Sequence, residues 1–234
     1  MSFESSASGD PAAALSAFFR VLWREVVSLF VLSVLFVVAA MSVLTIGPAM
    51  LSLVDTYYSS VTFTGTGGGV SRRTPDRANY FVKNIWTYLR TGLVYTVVLL
   101  VAVAGLYLYF RLALFGDTLP TFVVGIVGLY ATIFARVLVY RAANVVVHAE
   151  DADDDQPGFR SAVGQAWGTF KRDPAYAAVH LVVAAAIIVV CRISIVALAI
   201  PLPALLALLE VVLYEELDGI GAKTLVYAYE DLQS

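Results

Sequence analysis

The chain has 234 residues, 60% of them hydrophobic and only 14% charged, with a formal net charge of −3. A soluble domain carries about one-quarter charged residues, so lipid is the expected solvent for much of this surface, and the missing basic excess argues against nucleic acid as a partner. One cysteine, Cys191, excludes an intramolecular disulfide. With two widely separated histidines beside it, no convergent set of acids, histidines and thiols is in view, and the expectation is a non-enzymatic protein with no metal and no cofactor.

In chain order, residues 1–14 are rich in Ser, Ala and Gly and lack the basic start of a signal peptide. They read as a disordered N-terminus ahead of one transmembrane domain spanning 15–217, with a polar cytoplasmic tail at 218–234. Leu15, Phe18, Phe19 and Leu22 recur at helical spacing with Arg20 and Arg24 off their face, which predicts an amphipathic helix lying at the membrane interface. The apolar run Val26–Met50 then exceeds the roughly 20 residues that cross a bilayer. Between Glu25 and Asp55 lie 29 uncharged residues, too many for one economical crossing. Gly47 and Pro48 fall inside them, so the helix is expected to break there and restart with Pro48 in its first turn.

The restarted helix, Pro48 to Phe63, is slightly short for a crossing and carries Asp55. Gly65–Gly69 and the arginines after it form a flexible basic loop without the Lys-Ser/Thr ending of a phosphate-binding loop. A second amphipathic lead-in covers Tyr80–Arg90, followed by an uncharged span from Thr91 to Phe110, a short connection, and a third apolar segment from Pro120 to about Tyr140. The acidic run Asp151–Asp155 opens like a calcium loop, but Gln156 and Ala162 occupy the places of its Gly and Glu, so it reads as a solvated loop. With twelve Arg against three Lys, it gives the composition a halophilic cast. Phe159, Val163, Trp167 and Phe170 mark a third lead-in, before two apolar segments, Pro174–Cys191 and Ile193–Leu209, separated by Arg192. Glu210 onward reads as an acidic tail.

Sliding the chain by 81 residues superposes Trp86 on Trp167, Tyr95 on Tyr176, Arg111 on Arg192 and Pro120 on Pro201. The unit repeated is an amphipathic lead-in, a span, a polar turn and a returning span. If the segment after Pro48 also crosses, thirteen Lys and Arg fall on one side and only Arg111 and Arg192 on the other, as the positive-inside tendency requires. The predicted fold is therefore an all-α polytopic transmembrane bundle of about six spans. Three tandem helical hairpins, each preceded by an amphipathic interfacial helix, make it up, with both termini cytoplasmic in the cell membrane.

The segment Thr45-Ile46-Gly47-Pro48-Ala49 after a first span, then Phe81, Asn84 and Trp86 before the next, resembles the YesL-like family of bacterial and archaeal integral membrane proteins. The resemblance marks Thr45, Gly47, Pro48, Trp86 and Trp167 as structural positions and implies a small polytopic protein without assigned catalytic residues. Its implied setting is that of auxiliary components encoded beside carbohydrate importers, so other transport subunits join the bilayer as expected partners.

Candidate binding residues come from polar groups in or near the membrane. Arg136, Tyr140, Asn144 and His148 recur every four residues and share one helix face. They read either as a snorkelling, wet face at the cytoplasmic boundary or as the lining of a cavity for a sugar hydroxyl or an anion. Asp55 must find a partner or be protonated in its apolar surroundings, and His180 suits an interhelical hydrogen bond. Two functions follow. One is help with, or a contribution to, small-solute transport, which predicts a continuous cavity at the stripe. The other is structural: docking of a cytoplasmic partner or anionic lipid through the basic inner face, which predicts a packed, dry bundle.

Overall fold

The computed structural model describes residues 10–62, 70–151, 157–193, 201–218 and 221. It is all α, with no strand among them. The helices are α1 (Pro11–Arg24), α2 (Val26–Ala40), α3 (Ile46–Val61), α4 (Thr74–Thr87), α5 (Leu89–Phe115), α6 (Leu119–Asp151), α7 (Phe159–Arg172), α8 (Pro174–Ile193) and α9 (Leu202–Asp218), with a single 3-10 turn at Val43–Thr45 between α2 and α3. The glycine-rich stretch 65–69, the acidic run 152–155, residues 194–200 and residues 222–234 lie outside the described residues.

The three lead-ins are present as α1, α4 and α7, with boundaries moved. The first starts at Pro11 rather than Leu15, because the Asp10 carboxylate accepts from the amides of Ala12 and Ala13 and caps the helix. Ala14, Ala17, Phe18 and Val21 are its buried stripe. The second starts at Thr74, with Pro75 in the first turn. α1 meets α2 at 83°, and α7 meets α8 at 109°, so both helices lie across the direction of the one that follows.

The long run Val26–Met50 is not one helix. It breaks at Met41–Thr45, a few residues before the glycine and proline expected to break it, and restarts at Ile46 with Pro48 in the first turn. The Thr45 hydroxyl donates to the carbonyls of Ala39 and Ser42, closing the end of α2. Gly47 then meets α5: a Cβ there would lie 1.9 Å from the Gly92 carbonyl oxygen, and one on Gly92 would lie 2.3 Å from the Pro48 nitrogen. Only two glycines let these backbones touch. The Gly47 N–H donates to Thr96 Oγ1 at 2.9 Å, so the donor freed at the helix start is satisfied across the crossing.

α3 is the centre of the molecule, with almost every residue from Gly47 to Tyr57 buried among α2, α4, α5, α6 and α9. α9 is its counterpart, buried from Pro203 to Leu213. The apolar excess noted in the sequence lies outside them: Val27, Val38 and Met41 on α2, Val97 and Val101 on α5, and Val123 and Val127 on α6 are exposed. Water does not tolerate so much exposed apolar surface on a monomer, and a bilayer does.

Among the described residues, two helices are long and apolar enough to cross a membrane, Leu89–Phe115 and Leu119–Ala149. The number rises to four if each bent pair, α1 with α2 and α7 with α8, is one span. α5 and α6 form an antiparallel hairpin whose connection is shorter than the sequence suggests, and Arg111 belongs to α5 itself. Their axes approach at Gly125, where a Cβ would lie 2.4 Å from the Ala113 nitrogen, and at Gly128, which faces the Tyr109 ring. The α2–α3 turn packs at Gly92 and Thr96, and residues 97–115 of α5 continue past it for about 28 Å.

The 81-residue similarity has a structural counterpart. Tyr95 is buried in the second turn of α5 and Tyr176 in the first turn of α8. Each donates to a backbone carbonyl of a helix in the neighbouring hairpin arm, Tyr95 to Ala142 at 3.3 Å and Tyr176 to Leu213 at 3.1 Å.

Candidate functional site

The buried polar groups form three clusters on the helix portions around and below the level of Thr96. The first is built on α6, α8 and α9. Arg141 and Glu210, each about 1% exposed at the side chain, form an ion pair through Arg141 Nε and Glu210 Oε1. The N–H is not aligned as in a hydrogen bond, so charge rather than direction carries the contact. His180 bridges the two, with Nε2 3.1 Å from Glu210 Oε2 and Nδ1 3.5 Å from Arg141 Nη2. A guanidinium can only donate, which assigns the acceptor role to Nδ1, while the Nε2 contact with the carboxylate is again one of proximity rather than an aligned hydrogen bond. Phe170 and Tyr214 flank the guanidinium at 5.7 and 5.3 Å, a cation–π enclosure that keeps it from water.

Two turns on along α6 is the second part of this cluster. His148 Nδ1 lies 2.9 Å from the Asn144 carbonyl and Nε2 lies 2.9 Å from Glu215 Oε1. Both partners present oxygen acceptors to the ring. Tyr58 and Tyr214 pack their rings on the imidazole at 4.1 and 4.4 Å.

The second cluster surrounds Asp55. Asn84 Nδ2 donates to Oδ2 at 2.5 Å, and the hydroxyls of Ser59 and Tyr80 donate to Oδ1 at 3.0 and 3.3 Å. The carboxylate thus has the partners its burial requires. Burial raises the Tyr80 hydroxyl above the usual tyrosine value, and the negative charge of Asp55 adds to the shift. The third cluster is at the α1–α2 corner. Arg77, fully buried on α4, grips the Glu25 carboxylate through both terminal nitrogens and donates to Ser28 Oγ at 3.0 Å, a bidentate clamp that fixes α4 against the corner.

The predicted stripe is therefore split by its surroundings. Arg136 and Tyr140 border a cavity of about 10 Å³ with His180 and Glu210. Asn144 is fully buried, and His148 is engaged by Glu215. His180 joins Tyr140 and Arg136 at that cavity, whereas Asp55 belongs to a separate cluster. The structural positions divide too: Thr45, Gly47 and Pro48 make the α3–α5 crossing, and Trp86 and Trp167 are 72% and 42% exposed on the lead-in helices, as interfacial anchors would be.

Glu210 and Glu215 correct the reading of an acidic tail. Both are buried, and α9 carries them to Asp218. Arg77 likewise belongs to the core rather than to a solvated loop. The available signal was the buried need of Arg141 and His148 for counter-charges, but the partners stand far along the chain. Among the described residues no group of three or more His, Cys, Asp or Glu is placed to hold a metal ion. Compared with known proteins, the chain matches no family model, no curated protein and no solved structure.

Proposed function

We propose that this chain is a non-enzymatic integral membrane protein that docks a partner, an auxiliary component of a small-solute importer rather than the conduit. The observation that carries this reading is the tightness of the polar core. The space beside Arg136, Tyr140, His180 and Glu210 is about 10 Å³, the room of one water molecule. A sugar or comparable solute needs a site of hundreds of cubic ångströms. Buried ion pairs at the centre serve to hold helices in register, and the apolar faces of α2, α5 and α6 offer surface for lipid and partner. The YesL-like order of parts supports the importer setting and carbohydrate as the solute class.

For the topology, thirteen cations against two support cytoplasmic termini, with Arg111 on the outer side. Six full crossings would carry the α2–α3 turn to the outer face, beside Gly116. Its packing against Gly92 and Thr96 supports a different course for the first hairpin, which turns back on the cytoplasmic side. Residues 97–115 beyond it match the roughly 30 Å hydrocarbon thickness on their own. The α5–α6 and α8–α9 hairpins are then the crossing pairs.

The test has two arms. Sugar-loaded vesicles carrying the purified protein should release the labelled sugars no faster than loaded, protein-free vesicles do. A photocrosslinking residue at exposed Val38 should give one discrete heavier adduct in native membranes, and one at buried Val54 none. Saturable sugar release by the protein alone would overturn the docking reading in favour of a conduit.

A further inference from the structure

A second cavity, lined by no charged residue among those described, lies between α5, α6 and α8. It encloses about 440 Å³ and is lined by Val103, Leu106, Phe110, Leu129, Ile133 and Ile188, with Tyr107 at its edge. Its wall is almost wholly apolar. Along α5 the next residue after Phe110 is Arg111, exposed, its guanidinium 6.0 Å from the centre of the Tyr107 ring. An apolar slot spanning about 10 Å of α5 thus ends at Phe110, and the next residue, Arg111, places its guanidinium over the ring of Tyr107, which lines the slot. This sits on the part of α5 that runs beyond the α2–α3 turn.

We infer that the slot is a binding site for one acyl chain of an anionic phospholipid of the outer leaflet, its phosphate resting against Arg111. The inference rests on the topology above, which gives Arg111 to the outer side. Neutral surroundings would leave the slot indifferent to headgroup, but the cation at its mouth makes it selective. An arginine pairs with phosphate through parallel N–H donors, and a basic residue at the membrane surface is worth about fivefold in affinity for an anionic lipid. The depth of the slot favours a chain over a partner helix, since a helix of about 10 Å diameter does not enter a volume of this size.

The experiment uses the full chain in phosphatidylcholine vesicles containing a trace of chain-labelled nitroxide phosphatidylglycerol or phosphatidylcholine, read by the immobilised fraction in the spin-label spectrum. The wild type should hold the phosphatidylglycerol probe about fivefold more tightly than the phosphatidylcholine probe. Arg111→Gln, on an exposed residue that folding does not need, should bring that ratio to about one. Ile133→Trp should remove the tightly held component for both probes. Equal immobilisation of the two probes in the wild type, or a preference unchanged by Arg111→Gln, would overturn the site and leave ordinary boundary lipid. A labelled Gly116→Cys reached only from the cytoplasm would instead overturn the topology on which the site rests, so the two failures are distinct.

Discussion

Replacing Arg141 by Met tests the polar core most sharply. The substitution keeps an unbranched apolar stem but removes the guanidinium that Phe170 and Tyr214 flank, and with it the cation beside Glu210, a carboxylate about 1% exposed. Glu210 would then keep the side chains of His180, with Nε2 at 3.1 Å, and Asn144 beside it, but no guanidinium. Removing one partner of a buried ion pair costs about 3–5 kcal/mol. For a chain of this size each kcal/mol lowers the unfolding midpoint by about 2–4 °C, so the variant should lose roughly 6–20 °C in a thermal melt in detergent, followed by circular dichroism. Glu210→Leu alone should cost as much, since it strands Arg141. The double variant should recover most of the loss, because apolar replacement of a whole buried pair is close to neutral. With each single variant costing about 3–5 kcal/mol and the double near neutral, a coupling of roughly 5–9 kcal/mol across the cycle is the expected result. Additive losses, or single variants that melt with the wild type, would refute the view that this pair is desolvated and mutually dependent.

The helix crossing gives further predictions. Gly92→Leu should displace α3 from α5 and cost about 1–3 kcal/mol or more through overpacking, measured as a lower melting midpoint, while Gly164→Ala, on α7 with open space around it, should change stability by less than about 0.5 kcal/mol. Thr96→Val removes the acceptor of the Gly47 N–H and should cost about 1–3 kcal/mol, with faster hydrogen exchange at Gly47 as its local sign. Arg77→Leu should destabilise by about 3–5 kcal/mol and release the α1–α2 corner, read as new protease cleavage near Arg24. Trp86→Ala should leave the melting midpoint within about 0.5 kcal/mol of wild type but weaken vesicle anchoring of α4, read by depth-dependent quenching.

The lead-in helices were legible because one apolar stripe at period 3.6 suffices to announce them, as at Phe18 and Phe170. The TIGPA stretch was legible as a break, since proline and glycine act locally. Its destination was not: that Gly47 meets Gly92 depends on a crossing between distant helices. The acids suffered most. Glu210 follows an apolar run and is followed by Glu215 and Glu216, a local pattern that reads as the helix leaving the membrane. Its burial is decided by Arg141, on another helix, and no local signal records that pairing. Asp55 shows the intermediate case. Its need for partners followed from burial alone, and Asn84, already singled out for its place before the second span, was one of them. The stripe from Arg136 to His148 was found by spacing, yet only its neighbours on α8 and α9 decide that it is packed rather than wet.

The central topological claim is that the first hairpin turns back on the cytoplasmic side. It is tested by placing single cysteines at Ser42 and Gly116 in a Cys191→Ala background and labelling intact cells with a membrane-impermeant thiol reagent. The account predicts labelling from outside at Gly116 and none at Ser42, with Ser42 reached only after the membrane is opened. Equal labelling of both from outside would contradict it and restore six full crossings.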